Sequence, residues 1–539
     1  MIAAVQLSLI LLLVVAAVAV AARRLKVPPA ILLVLAGVVL ALLPGLPRVE
    51  LVPELVLLIV LPPLIYSAGV AMSWREFRFN LRPIALLAIG CVAFTTVAVA
   101  AVAHCLLGLG WPVAFVLGAI VSPPDVVAPL AIARRLKLPR RLLVILEGEG
   151  LANDATALIL YRFAVVAVST GAFSLPRAAG TFALILVGEI VYGIAVGWAT
   201  LHLRRLVQEP RVEIVLALLT PYLAYWVPEE LGGSGVLATV AAGLTVSWKG
   251  PLLIPSATRL QGIFFWDLLI YIIEGLVFLL TGLQARTLLD RIADFSLRQL
   301  AFAALVTSAV VIVARFVWVF PATYLPRWLN PALARRDPSP TWQLPFAIAF
   351  TGVRGIVSLA AALAIPLTTA SGQPFPERDL ILFLTFSVIL VTLVGQGLLF
   401  PWVVCWLGLD KAGRAEQAAE EATEMAARRE AIDAVLRKLE AIAAAQGLSH
   451  DVVKPLRARH EARLRQIDHR MDDSDEHTAL AECWDQLELM LIEAEREYVY
   501  DLLRRGRLHD EARRRIEREL DLREARLRGA GPESTNIGA

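Results

Sequence analysis

Glu147-Gly148-Glu149-Gly150-Leu151-Ala152-Asn153-Asp154-Ala155-Thr156-Ala157 is the stretch on which the reading of this chain turns. It places three carboxylates inside an apolar run from about 141 to 169. A run of that length crosses the hydrocarbon core of a bilayer as one helix. An ionisable group at that depth costs roughly 2.5–3.5 kcal/mol on insertion scales, so it is kept for a function and with partners. Positions 147, 150, 151 and 154 share one helical face, and 149 and 153 lie on the neighbouring stripe. Asp154 falls just over a turn from Glu149. A carboxylate in a wet, partly buried cavity binds a hard cation when charged and a proton when neutral. A buried acid that alternates between a hard cation and a proton is therefore expected in this stretch.

Working outward, the same character fills most of the chain. Of 539 residues, 58% are hydrophobic and 18% charged, against about 45–50% and about 25% in soluble domains. The excess is concentrated before residue 410. Thirteen apolar segments are predicted as helices: 2–22, 28–46, 50–71, 83–108, 112–133, 141–169, 177–203, 211–228, 233–248, 258–284, 297–325, 342–367 and 379–408. The connections from odd to even segments carry nineteen Lys and Arg, the others six. By the positive-inside rule this puts the amino terminus outside and the tail in the cytoplasm of a plasma (inner) membrane. A signal peptide is not expected, because Arg23, Arg24 and Lys26 follow the first apolar run rather than precede it. The net charge of +3 gives no reason to invoke nucleic acid. Cys91, Cys105, Cys405 and Cys483 have no ligand spacing, so neither a disulfide framework nor a zinc site follows. No cofactor is expected, and no catalytic motif of an intramembrane enzyme is present.

The deep charges are Asp125, Glu147, Glu149, Asp154, Arg162, Glu189, Asp267, Glu274, Arg315 and Arg354. Asp125 ends Val121-Ser122-Pro123-Pro124-Asp125, where two prolines remove two backbone donors in mid-segment. A broken helix is predicted there; a simple proline kink is the other reading. A second break is predicted at Thr351-Gly352-Val353-Arg354-Gly355. Irregular backbone at membrane depth survives only when buried in protein or lining a cavity. Asp125 can offset the positive helix ends at the first break, and Arg354 the negative ends at the second. Two interrupted helices, one in each half, point to a midplane transport site between inverted repeats. Glu149 needs a partner to stay ionised, and Arg315, alone in the run 309–319, is the candidate; otherwise Arg315 snorkels to the surface. Glu189 and Glu274 either line a cavity or pair structurally.

At these residues the chain resembles the NhaP/NHE-type monovalent cation:proton antiporters. The likeness covers about 1–409 and is most specific at Glu147–Ala157. Pro62-Pro63-Leu64-Ile65, the Ser-Pro-Pro-Asp break, Ala314-Arg315 and Gly352-Val353-Arg354-Gly355 support it in the same order. The resemblance implies thirteen membrane helices, a homodimer, and a mobile core that moves against a dimerisation domain. It implies Asp154 as the shared ligand of cation and proton, Asn153 as its brace and Asp125 beside it. It implies Glu149 paired with Arg315, and Arg354 compensating the second broken helix. An Asn before the aspartate is similar to the electroneutral branch, with one proton per cation. Three positions depart from the family pattern: Gly150 where a serine is common, Pro124 where a threonine is common, and Ser67 where some members have a glutamate. Gly150 and Pro124 remove two side-chain oxygens, which makes K+ or Li+ admissible beside Na+. A serine restored at position 150 is expected to tighten sodium affinity.

The fold class expected is thus an all-α polytopic membrane protein with two broken crossing helices, over residues 1–409, in contact with membrane lipid. Residues 410–528 read as a cytoplasmic helical tail, with breaks near Gly447, Asp472-Asp473-Ser474 and Gly506, and 529–539 as disordered. Five histidines lie in the tail; they are read either as a pH sensor or as ordinary solvated side chains. The alternatives to cation/proton exchange are a proton-coupled carrier of another solute, or a membrane sensor or scaffold with an inactive core.

Overall fold

The computed structural model describes residues 2–43, 51–171, 174–207, 209–292, 296–370, 372–471, 475–505 and 507–528. Arg48, the predicted breaks at 472–474 and 506, and the segment 529–539 lie outside the described residues, as do the side chains of His469 and His477. The chain divides into two compact units, Met1–Ala412 and Gly413–Ala539.

In the first unit, helix occupies each of the thirteen apolar segments. Among the described residues, nine helices are long and apolar enough to cross a membrane, and Pro29–Leu42 and Trp111–Val121 are shorter apolar helices. The count of thirteen crossings goes beyond those nine. Two segments are split. Trp111–Val121 and Val127–Arg135 flank the double proline, and Gln343–Phe350 and Ile356–Leu363 flank Gly352 to Gly355. The cause is local: Pro123 and Pro124 supply no N–H to a helical ladder, and the second break holds two glycines within four residues.

Lipid chains are as apolar as leucine, so these helices associate through close van der Waals contact rather than through the hydrophobic effect. Small residues make that contact. Gly193 and Gly197 in helix Leu175–Val207 meet the backbone of Ala238 and Ala242 in helix Val236–Leu253. Gly37 in helix Pro29–Leu42 packs on Gly282 in helix Ser256–Leu283. Gly188, on the same helix as Gly193, faces open space and has no such role. A buried cluster including Val116, Leu117, Ile120, Leu384 and Val388 lies among the half-helices and the final segment.

Single π-helical turns interrupt three segments, at Val56–Val60, Leu86–Cys91 and Val391–Gln396. Such turns recur at functional sites because they rotate side chains out of the regular register. The third one borders the second break.

The second unit is helical. His450–Met471, Asp475–Arg504 and Asp510–Arg528 belong to it. Arg496 joins the last two through Asp521 at 2.9 Å and Glu524 at 2.8 Å.

Candidate functional site

The two breaks meet and bond to each other. The N–H of Asp125 donates to the carbonyl of Val353 at 2.6 Å. The Asp125 Oδ1 accepts from the N–H of Val127 at 2.9 Å, at the amino end of its own half-helix. Its carboxylate also lies against Gly355, the residue that starts Ile356–Leu363, where a β-carbon would find no room. One carboxylate thereby stands at the positive ends of two half-helices.

Arg354 is buried, and its guanidinium serves carbonyls. Nε donates to Val121 O at 2.9 Å, Nη2 to Ser122 O at 3.2 Å, and Nη1 to Gly352 O. Most of its charge therefore satisfies the carbonyl end of the first break, although its sequence position suggested the second. The carbonyl end at the second break is served instead by Arg315, whose Nε donates to Ile348 O at 3.1 Å. Gly352 separates the two arginines; a β-carbon there would lie 2.6 Å from Arg315 Cδ and 2.8 Å from Arg354 Nη1. The Arg354 N–H donates to Thr392 Oγ1 at 3.0 Å, and Gln396 donates to Phe350 O at 3.1 Å. Both side chains come from the π-helical turn Val391–Gln396.

Helix Arg140–Thr170 passes beside this crossing. Glu149 and Arg315 form a two-pronged pair, with Nη1 to Oε1 at 2.5 Å and Nη2 to Oε2 at 2.7 Å, and both side chains are buried. Such a fork satisfies both carboxylate oxygens, as a buried charge pair requires. One turn on, Asn153 Nδ2 donates to Pro124 O at 2.6 Å, and its Oδ1 accepts from the N–H of Asp154 at 2.7 Å. Asn153 thus fastens the helix to the first break. Asp154 is partly exposed, and among the described residues its carboxylate accepts no hydrogen bond and joins no ion pair.

Gly150 sits against the first break. A β-carbon on it would collide with a methyl of Val126 in the first break. A serine there does not simply add an oxygen; it needs space that Val126 occupies. Pro124 contributes its backbone carbonyl, to Asn153. The Ser67 hydroxyl donates to Leu64 O at 3.0 Å, within its own helix, and is not brought to the crossing by any bond.

The remaining deep charges resolve differently. Glu147 pairs with Arg134 at 2.8 Å. Arg162 pairs with Glu229 and donates to Gly233 O at 2.6 Å. Glu189 accepts from the N–H groups of Ser234 at 2.5 Å, Gly235 at 3.1 Å and Leu237 at 3.1 Å, and from the Ser234 hydroxyl. It therefore closes the amino end of helix Val236–Leu253, so the structural alternative holds for this residue. Asp267 is exposed and Glu274 half-buried, seven residues apart on one helix. One buried pair escaped the sequence reading: Arg204 and Glu213, 3.6 Å apart. Its sequence signal is Glu213, an acid just inside the segment 211–228.

Comparison with known proteins follows the same line. Residues 9–406 match the sequence model of the family described as sodium/hydrogen exchanger, transmembrane. An uncharacterised Na+/H+ exchanger of Mycobacterium tuberculosis is 37% identical over 516 residues, 94% of this chain and 93% of that protein. The sodium, potassium, lithium and rubidium/H+ antiporter of Bacillus subtilis is 35% identical over 391 residues, 70% of this chain and 57% of that protein. The sodium proton antiporter MjNhaP1 of Methanocaldococcus jannaschii superposes with a TM-score of 0.61 at 18% identity, over 76% of this chain and 98% of that one. That last likeness is one of fold.

Proposed function

Because the chain belongs to the sodium/hydrogen exchanger family, we propose that it exchanges a monovalent cation for a proton by competition of the two at Asp154. The observation that carries this reading is a contrast between neighbours. Glu149 is bound to Arg315, Arg354 to backbone carbonyls and Asn153 to Pro124. Asp154 alone of this group is partly exposed with a carboxylate that nothing described engages. It can take an alkali cation when charged and release it when protonated. Asp125, with one oxygen on Val127, offers a second carboxylate oxygen at the same crossing. Backbone carbonyls and water complete a shell for a hard cation.

The chain is a multi-pass membrane protein. The finer points belong to the proposal. The arginine-rich connections support a cytoplasmic tail and an external amino terminus in the plasma membrane. With one charge leaving Asp154 for each charge entering, one proton moves per cation and the cycle is electroneutral. Sodium is the expected substrate, with potassium and lithium admitted by the shortage of side-chain oxygens at Gly150 and Pro124. A homodimer that sets a mobile core against a fixed domain, and a role in pH and cation balance, complete the reading.

The test is cation-driven proton movement in everted vesicles, scanned with lithium, sodium and potassium across pH. The native chain should dissipate a pH gradient without regard to membrane potential. Asp154→Asn should abolish this while inserting at normal levels. Robust exchange by that variant sinks the assignment.

A further inference from the structure

Away from the crossing, three arginines converge on one carboxylate. Arg82 and Arg141, each the second residue of its helix, and Arg327, near the end of helix Leu297–Leu329, all reach Asp337. The distances are 2.7 Å from Arg82 Nη2, 2.8 Å from Arg141 Nη2 and 2.8 Å from Arg327 Nη2. Arg327 Nε also donates to Asp337 O at 3.0 Å, and its Nη1 to Thr323 O. Three guanidiniums against one carboxylate leave two positive charges unmatched. The other nearby carboxylate, Glu76, is already held by Arg140 at 2.8 Å.

The excess charge has directed donors. Arg82 Nη1 and Arg141 Nε are buried and have no hydrogen-bond partner. Both arginines, with Arg327, line a cavity of about 40 Å³ floored by Leu87, Ile145 and Val319. A buried N–H without an acceptor is costly, and two in one small cavity mark a place made for an acceptor. Arg82 and Arg141 each lie in the first turn of a helix, where the backbone carries positive partial charge.

Arg327 also borders a second, open groove of about 660 Å³, lined by Phe320, Tyr324, Leu325 and Trp328. Trp328 is 79% exposed and Leu325 48%. A tryptophan beside a charge cluster at a helix end is what the interface of a bilayer selects. Cationic donors and an apolar groove therefore meet at one residue.

We infer that this is a binding site for an anionic phospholipid, its phosphate on the free donors of Arg82 and Arg141 and an acyl chain along Phe320, Tyr324 and Trp328. Guanidinium is the side chain best shaped for phosphate oxygens. The two unmatched charges favour a headgroup with net negative charge over a zwitterionic one. A free phosphate ion has the same anionic chemistry but makes no use of the groove. The site ties the ends of three helices together through one ligand, so its occupancy is read as stability.

The experiment uses the full-length protein, delipidated in neutral detergent, with thermal unfolding followed on adding phosphatidylglycerol, phosphatidylcholine or inorganic phosphate. Phosphatidylglycerol should raise the midpoint by about 2–4 °C more than phosphatidylcholine. The double variant R82Q/R141Q should lose that difference, whereas K249Q/R259Q, which removes two other basic residues, should keep it. Trp328→Ala, at an exposed position where folding is not at risk, should reduce the difference by about half. An equal response to both lipids, or a phosphatidylglycerol response that survives R82Q/R141Q, overturns the site. A full shift with inorganic phosphate alone, or no change in W328A, overturns the lipid assignment.

Discussion

Gly150 and Val126 face each other across the contact between helix Arg140–Thr170 and the first break, with no room for a β-carbon between them. The valine is β-branched and short, so it cannot swing away as a longer side chain would. Gly150→Ser alone is an overpacking change worth about 1–3 kcal/mol at a place where this helix touches the first break. We expect it to lose transport and lower the melting temperature. The pair Gly150→Ser with Val126→Ala opens the space. It should recover folding and lower the apparent KM for sodium by about tenfold, as one added ligand oxygen worth about 1.4 kcal/mol does. Sodium-dependent quenching in vesicles measures it; a tight single variant would show that Val126 does not limit this position.

Glu149 and Arg315 should behave as a unit. Removing one partner leaves a buried charge uncompensated, at a cost of about 3–5 kcal/mol. Glu149→Gln and Arg315→Met are each expected to unfold at markedly lower temperature in detergent. The double variant Glu149→Leu with Arg315→Met should recover much of that loss, because an apolar pair of similar volume removes both charges. It should not recover all of it, since Arg315 Nε also serves Ile348 O. Additive losses in the double variant would mean that the two side chains act separately.

The features legible in the sequence share one physical trait: they are charges or breaks that an apolar segment cannot tolerate without a reason. The all-helical membrane fold followed from the apolar runs, and the split segments from Pro123-Pro124 and from Gly352 and Gly355. What was not legible depends on which element lies opposite. Arg354 reaches carbonyls of the first break because the two breaks cross, and no property of residues 351–355 contains that crossing. Gly150 read as a missing oxygen because a sequence does not carry the shape of Val126 on the facing element. Thr392 and Gln396 are polar residues in an apolar run, and nothing in the sequence singles them out. Only the π-helical turn aims them at the second break. Glu213 finds its partner, Arg204, on the preceding helix, and that pairing depends on how the two helices pack.

Glu189 offers a test that separates a helix cap from a transport residue. Its carboxylate accepts from three backbone N–H groups. Glu189→Gln keeps the shape, but turns an amide group with its own donors toward those N–H groups. A loss of about 1–3 kcal/mol is expected, seen as an earlier melt, with the apparent KM for sodium unchanged in the protein that remains folded. A shifted KM at unchanged melting temperature would place Glu189 on the cation path instead.

Asp337 sets the pH range over which the arginine cluster holds. Burial works to raise its carboxyl, but the hydrogen bond and charge of Arg141, with the charges of Arg327 and Arg82, outweigh it and hold the group below the usual carboxylate range. A depressed carboxylate contributes stability that is present above its unfolded pKa and is lost as pH falls through the folded one. Its contribution should therefore be constant from about pH 6 to pH 9, far above the ordinary Asp value of about 3.9. Asp337→Asn should lower the melting temperature by the same amount at both ends of that range. The gap between native chain and variant should close only in strong acid. A gap that narrows between pH 9 and pH 6 would place the carboxyl's pKa in that window, and three facing guanidiniums do not permit that.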